Sequence, residues 1–210
     1  MPFHAHKKGI RALGIAESFV KGVSQKSFLT GVVMRADRII DGFSYSLVTV
    51  GGVDATRQAI ALIEKLHRQD INAILLNGCI ISWFNVIDLQ QVFQESSIPL
   101  LCVSYNASEG LDQYFQELFP TTWQQRLKTY HQNGVRTPIT LKTGKTVFAR
   151  YLGLSLDEVK GVLNKFTVFG AVPEPIRVAR LLARTLMKHY QHSVEELTSP
   201  NQLQLPEKST

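Results

Sequence analysis

INAILLNGCIISWFNVIDL, residues 71–89, decides how the rest of this chain is read. Its apolar run Ala73-Ile74-Leu75-Leu76 has polar sequence on one side and the turn dipeptide Asn77-Gly78 on the other. So short and uniform an apolar run reads as a strand buried on both faces. Asn-Gly ends it. Asn77 then stands at the carboxyl end of a central strand, where open α/β sheets bind their ligands. A helix is expected over 85–95, carrying Val86, Ile87 and Leu89 inward. Asn77 and Asp88 are the first polar residues to consider for a site. The alternative is that Asn77 only fixes the turn and Asp88 only decorates the start of a helix.

Working outward, residues 98–104 (IPLLCVS) form a second buried strand, which makes a βαβ unit with a right-handed crossover. Upstream, residues 54–69 read as a helix with Ala59, Ile60, Leu62, Ile63 and Leu66 on one stripe. Before it, 10–16, 28–34 and 39–50 read as strands, and 17–27 as a loop. The turn 35–38 joins the second and third strands, which should pair antiparallel. Downstream, 107–130 gives two helical pieces broken at Pro120, 134–144 is turn-rich, and 147–151 is an edge strand. A short helix follows over 156–164, with Ser155 and Glu158 spaced as a capping box. Residues 167–172 look extended, and 173–190 is the last helix, with Pro175 in its first turn. The expected architecture is α/β, a central mixed sheet with flanking helices, in one domain over 1–191. A polar, disordered tail is expected over 192–210.

The formal charge is +6, and its distribution favours an anionic partner. Arg126, Lys128, Arg136, Lys142, Lys145 and Arg150 fall in a segment without an acidic residue. Arg177, Arg180, Arg184 and Lys188 share one face of the last helix by their spacing. The alternative is a solvated basic face. Cys79 and Cys102 lie in apolar runs and read as buried thiols, which implies a reducing, cytoplasmic setting. No apolar run approaches the ~18 residues of a membrane span. A Gly-rich phosphate loop, paired-cysteine zinc motif, HExxH helix and nucleophile elbow are all missing. The candidate polar set is therefore Glu17, Asp54, Asn77 and Asp88, at strand ends and helix starts.

The segments LGIAES, GGVDAT, ILLNGCIISWFNVIDL, IPLLCVS and VPEPIRVARLLA resemble the uncharacterised family called domain of unknown function 99, also uncharacterised protein family 0215. The resemblance covers residues 9–190. It is most specific where Trp83-Phe84-Asn85 is combined with PEPIRVA. That family is distantly similar to endonuclease V, so the resemblance implies a ribonuclease H-like fold and a Mg²⁺ site built from acidic residues. The family's aspartate in the first strand falls on Ala16, with Glu17 next to it. Its acidic position before the first helix is Asp54. The aspartate of its VDG segment falls on Gly51, that of its central strand on Asn77, and its last acid or histidine on Arg180. Asp54 is the survivor among the endonuclease-like positions.

Three functions follow as expectations. The first is a degenerate domain with a vestigial site at Ala16, Glu17, Asp54, Asn77 and Arg180. It would bind a nucleic acid or nucleotide through Arg177, Arg180, Arg184, Arg126 and Lys128, without a metal cofactor and without metal-dependent cleavage. The second is a phosphodiesterase or nuclease with a rebuilt Mg²⁺ or Mn²⁺ site at Glu17, Asp54 and Asp88. The third is a protein-interaction or scaffold role, which an exposed apolar patch near Trp83, Phe84 or Trp123 would favour.

Overall fold

The computed structural model describes residues 9–107 and 110–198, without the side chains of 192–198. Strands β1 (Arg11–Ser18), β2 (Lys26–Arg35) and β3 (Ile40–Thr49) form an antiparallel meander. Helix α1 (Ala55–Glu64) leads to β4 (Ala73–Asn77), which runs parallel to β1. A small hairpin, β5 (Ile80–Ile81) and β6 (Asn85–Val86), precedes α2 (Leu89–Ser96). Strand β7 (Leu100–Ser104) lies parallel to β4. Helices α3 (Asp112–Leu118) and α4 (Trp123–Gln132) follow, with Pro120 between them as expected. Then come β8 (Thr137–Thr140), β9 (Thr146–Leu152), α5 (Leu156–Phe166) and α6 (Glu174–Thr198). The seven-stranded mixed sheet has the order β3-β2-β1-β4-β7-β9-β8. This is the α/β architecture expected of a ribonuclease H-like fold.

Strand alternation divides the core in two. Leu13, Ile15, Ile74 and Leu76 pack on α1 and α2 with Leu62, Ile63 and Val92. Ala12, Ala16, Ala73 and Leu75 pack on α5 and α6 with Val162, Phe166, Ile176 and Ala179. Successive side chains on a strand point to opposite faces, so Asn77 shares Leu75's side, that of α6. Helix α6 lies directly on β1. A Cβ at Gly14 would overlap the Pro175 carbonyl and stand 2.5 Å from Ile176 N. Thr30 Oγ1 of β2 donates to Ala179 O at 2.7 Å and fixes the helix from its other side.

Several expectations are corrected. Asn85 begins no helix. Its side chain accepts from Ala55 N at 3.0 Å and donates to Thr49 O at 3.0 Å, so it is buried as a bridge. The helix starts at Leu89, where Asp88 accepts from Gln91 N. Residues 147–151 lie inside the sheet. The edge is β8, in the stretch read as turns, with Pro138 on it, where a missing amide costs least. Residues 167–172 form no strand and leave Val168 and Phe169 exposed. Strand β1 runs through Glu17 to Ser18, which shortens the expected loop. Helix α6 continues past Gln191 to Thr198, into the expected tail. The rest of that tail, 199–210, lies outside the described residues.

The contact between Gly14 and α6 leaves no room for a methyl group. Gly14→Ala is expected to cost about 3 kcal/mol through overpacking against backbone, read as a lower urea midpoint. Gly9→Ala, where a Cβ meets nothing within 4 Å, should leave the midpoint unchanged.

Candidate functional site

The carboxyl ends of β1, β4 and β7 gather two polar groups, one on each side of the sheet. On the α6 side, Arg180 Nη2 donates to Asn77 Oδ1 at 2.9 Å. The Arg180 guanidinium also stands 6.0 Å from the Tyr105 ring centre. Tyr105 follows β7, the next parallel strand. Its hydroxyl is buried and has no hydrogen-bond partner among the described residues. Burial pushes this phenol up to about 12, although the positive charges of Arg180 and Arg177 pull the other way. It therefore stays protonated and can donate. Arg177 is tied down by Glu174 at 3.2 Å and by Val172 O at 3.3 Å, and its guanidinium covers Phe169 at 4.3 Å. Ala16 lies on this same face, buried, and offers no donor to a metal.

On the α1 side, Asp54 is held by β3 and by Asn85. It accepts from Thr49 Oγ1 at 2.8 Å, Thr49 N at 3.1 Å and Asn85 Nδ2 at 2.7 Å. Burial alone would raise its carboxyl, but these hydrogen bonds outweigh that and hold it below the usual range. Glu17 accepts from Ser27 Oγ at 2.7 Å and from the Ser82 backbone. Burial dominates there and raises its carboxyl, with those two bonds opposing. Between these acids runs Ser82-Trp83-Phe84, three successive residues with φ of 46°, 60° and 60°. Left-handed backbone costs roughly 1–2 kcal/mol per non-glycine residue, so the surroundings must impose it. They do so through Ser82 O, which accepts from Gly51 N at 2.7 Å, and through Arg126.

Arg126, expected as a phosphate-binding candidate, is largely occupied inside the fold. It is only 4% exposed. Its Nη atoms donate to Gly51 O, Gly52 O and Phe84 O at 2.6–2.8 Å, and its guanidinium covers the Phe119 ring at 3.9 Å. With Nε donating to Thr122 Oγ1, four of its five N–H groups are used inside the protein, and it clamps two loops together. Lys128, Arg184 and Lys188 are exposed. The rebuilt metal site is corrected as well. Asp88 caps α2, Asp54 is bonded to Thr49 and Asn85, and Glu17 to Ser27. Among the described residues no group of three His, Cys, Asp or Glu side chains comes together as a metal site. Asn77 and Arg180 do meet, but no hydrogen bond joins Asp54 to either.

Mg²⁺ or Mn²⁺ does not fit this donor set. Hard divalent cations take about six oxygens, largely from carboxylates and water. The α6 side offers one neutral carboxamide oxygen, and a guanidinium already occupies it. Sequence reasoning missed Tyr105 and the bridging role of Asn85. Tyr105 could have been found from its place just beyond a second parallel strand, the same logic that singled out Asn77.

The endonuclease dU family model matches residues 8–187. A UPF0215 protein of Pyrobaculum calidifontis is 34% identical over 172 residues, which is 81% of this chain and 93% of that protein. A solved protein of unknown function from Archaeoglobus fulgidus aligns with TM-score 0.72 and 24% identity, over 85% of this chain and 98% of its own. Endonuclease V of Ciona intestinalis, solved with a 24mer DNA containing an inosine followed by a ribo-adenosine, aligns with TM-score 0.59 and 16% identity, over 87% and 88%. At such identities the structural likeness is one of fold, and it agrees with the expected kinship to endonuclease V. Among the described residues no helix is long and apolar enough to cross a membrane.

Two stability measurements check these roles. Arg126→Ala should lose about 3 kcal/mol, since it strands buried carbonyls, whereas Arg184→Ala should change little. For Glu17 the sign follows from its raised carboxyl. Ionisation works against the folded state, and the cost appears as pH rises through the raised value. Glu17→Gln should therefore raise the melting temperature near pH 8 and do so less near pH 4.

Proposed function

The chain belongs to the endonuclease dU family, and from that premise we propose that it holds the phosphate backbone of a nucleic acid, or a nucleotide, without metal-dependent cleavage. One observation carries the reading: the Arg180 guanidinium lies 2.9 Å from Asn77 at the carboxyl end of the central strand. That is where the family resemblance calls for carboxylates around a cation. A fixed guanidinium there favours an anion, and its planar fork suits phosphate. The Tyr105 ring lies 6.0 Å from the same guanidinium, and its buried hydroxyl, without a partner among the described residues, is a neutral donor behind the site. Arg184 and Lys188, exposed further along α6, extend the positive surface. Deoxyuridine, the dU of the family's description, and inosine, from the DNA bound to the Ciona protein, are the nucleosides to test first. The reading includes a reducing, cytoplasmic setting, in keeping with two free cysteines.

Fluorescence anisotropy of labelled single strands tests this. The logarithm of the association constant should fall with the logarithm of salt concentration, by about 0.7 for each phosphate contacted. Arg180→Ala, with its fold verified by circular dichroism, should bind roughly tenfold more weakly, as expected for one lost charge-assisted bond. Mg²⁺ and Mn²⁺ should produce no strand cleavage. Absence of binding at low salt, or Mg²⁺-dependent cleavage abolished by Asp54→Ala, would overturn the reading.

A second reading, contact with a protein partner, is favoured by a different surface from the one expected. Trp83, Phe84 and Trp123 are half-buried, whereas Phe43, Tyr45 and Leu47 are exposed along the edge strand β3. Sedimentation of the wild type and Tyr45→Lys tests it. Association that is concentration-dependent and lost in the variant supports it, and identical monomers count against it.

A further inference from the structure

Behind the turn that presents Asn77 lies a second group of reactive atoms, with no part in the phosphate reading. Cys79 and Cys102 are each 3% exposed and belong to the same core cluster. Cys102 stands on β7 beside Arg150 of β9, its Cα partner in the ladder. The Arg150 side chain is 9% exposed. Its Nη1 lies 3.5 Å from Cys79 Sγ, its Nε donates to Gly134 O at 2.7 Å, and its guanidinium covers the Tyr130 ring at 5.0 Å. No carboxylate pairs with it among the described residues. A buried guanidinium needs a counter-charge, and the atom placed to supply one is the Cys79 sulfur.

The two thiols are unequal. Cys102 lies against Cys79 across the Arg150 guanidinium, whose Nη1 faces the Cys79 sulfur at 3.5 Å. Those contacts outweigh burial and draw Cys79 below the usual thiol range. Cys102 is pushed well above it, by its contact with Cys79 and by burial. Thiolates, rather than thiols, react with electrophiles. Cys79, 3.5 Å from the Arg150 guanidinium, is therefore the nucleophile, with the Cys102 thiol alongside it. Two sulfurs are half of a tetrahedral thiolate site, and no third His, Cys, Asp or Glu joins them among the described residues. The pair thus suits oxidation better than metal binding. A cleft of about 350 Å³ lined by Tyr130, Gly134, Arg136 and Arg150 opens on the outer side of the guanidinium, wide enough for a molecule the size of hydrogen peroxide.

We infer that Cys79 and Cys102 form a peroxide-oxidised pair, in which Cys79 is attacked first and Cys102 resolves it into a disulfide. The Cys79 thiolate attacks one oxygen of the peroxide, the O–O bond breaks, and hydroxide leaves. Sulfur loses two electrons and the peroxide gains them, giving a sulfenic acid at Cys79. The Cys102 sulfur then attacks the Cys79 sulfur, the S–O bond breaks, and the departing hydroxide takes the Cys102 proton as water. The net change is two thiols and one peroxide to one disulfide and two waters. Cys79 lies two residues beyond Asn77, so the crosslink would tie that turn to β7.

The test uses the reduced full-length chain treated with hydrogen peroxide, then denatured and alkylated with iodoacetamide. Intact mass should fall by about 2 Da with neither cysteine alkylated, the signature of a disulfide. Dimedone present during oxidation should label Cys79, located by peptide mapping of the wild type, which does not depend on any variant folding. In Cys102→Ser, the sulfenic acid at Cys79, about 16 Da heavier, should persist. In Cys79→Ser, oxidation of Cys102 should be at least ~10-fold slower, as expected for a protonated thiol. Two alkylatable cysteines remaining in the treated wild type, or dimedone on Cys102 in place of Cys79, would overturn the inference.

Discussion

The remainder of the molecule rests on the seating of α6 on β1. Gly14 has no side chain, so the Pro175–Ile176 backbone comes down onto the strand itself, and Thr30 fixes Ala179 from β2. A helix held that closely has little freedom to slide. One helical residue beyond Ala179, Arg180 is carried to the end of β4, where Asn77 receives it. The character of the site follows from that placement. A carboxamide and a guanidinium satisfy each other where a carboxylate cluster would require a cation. The buried Tyr105 hydroxyl, without a partner among the described residues, is a donor as well. On the function proposed for it, such a site receives negative charge.

The acids that survive in the sequence serve a different purpose. Asp54 and Asn85 join β3 to the start of α1, and Arg126 ties Gly51 and Gly52 to Phe84. Together they hold the left-handed turn Ser82-Trp83-Phe84, which would relax without them. The opposite shifts of Glu17 and Asp54 fit this division. Glu17 has too few donors for its burial, whereas Asp54 has enough to stay ionised. A buried carboxylate already supplied with hydrogen bonds gains little from a metal and would forfeit its structural bonds to bind one.

The fold was largely legible because its signals are local. Uniform apolar runs at 73–76 and 100–103, a stripe at 59–66 and the capping box at Ser155 each follow from short-range chemistry. The errors arose where a distant partner decides the local structure. Asn85 looks like a helix start until Ala55 and Thr49 claim its side chain. Arg126 looks like part of a basic face until three carbonyls 42 to 75 residues away surround it. Of the site, the pairing of Asn77 with Arg180 was within reach, because both stand at positions the family resemblance marks. Tyr105 was missed because an aromatic after an apolar strand gives no hint that its hydroxyl will be left unpartnered.

The account turns on whether the end of the central strand still takes a divalent cation. Calorimetric titration of Mn²⁺ into the full-length chain at low ionic strength measures this directly. The account predicts no saturable heat, and the same trace for the wild type and Asp54→Ala. Stoichiometric binding in the wild type that disappears with Asp54→Ala would contradict it.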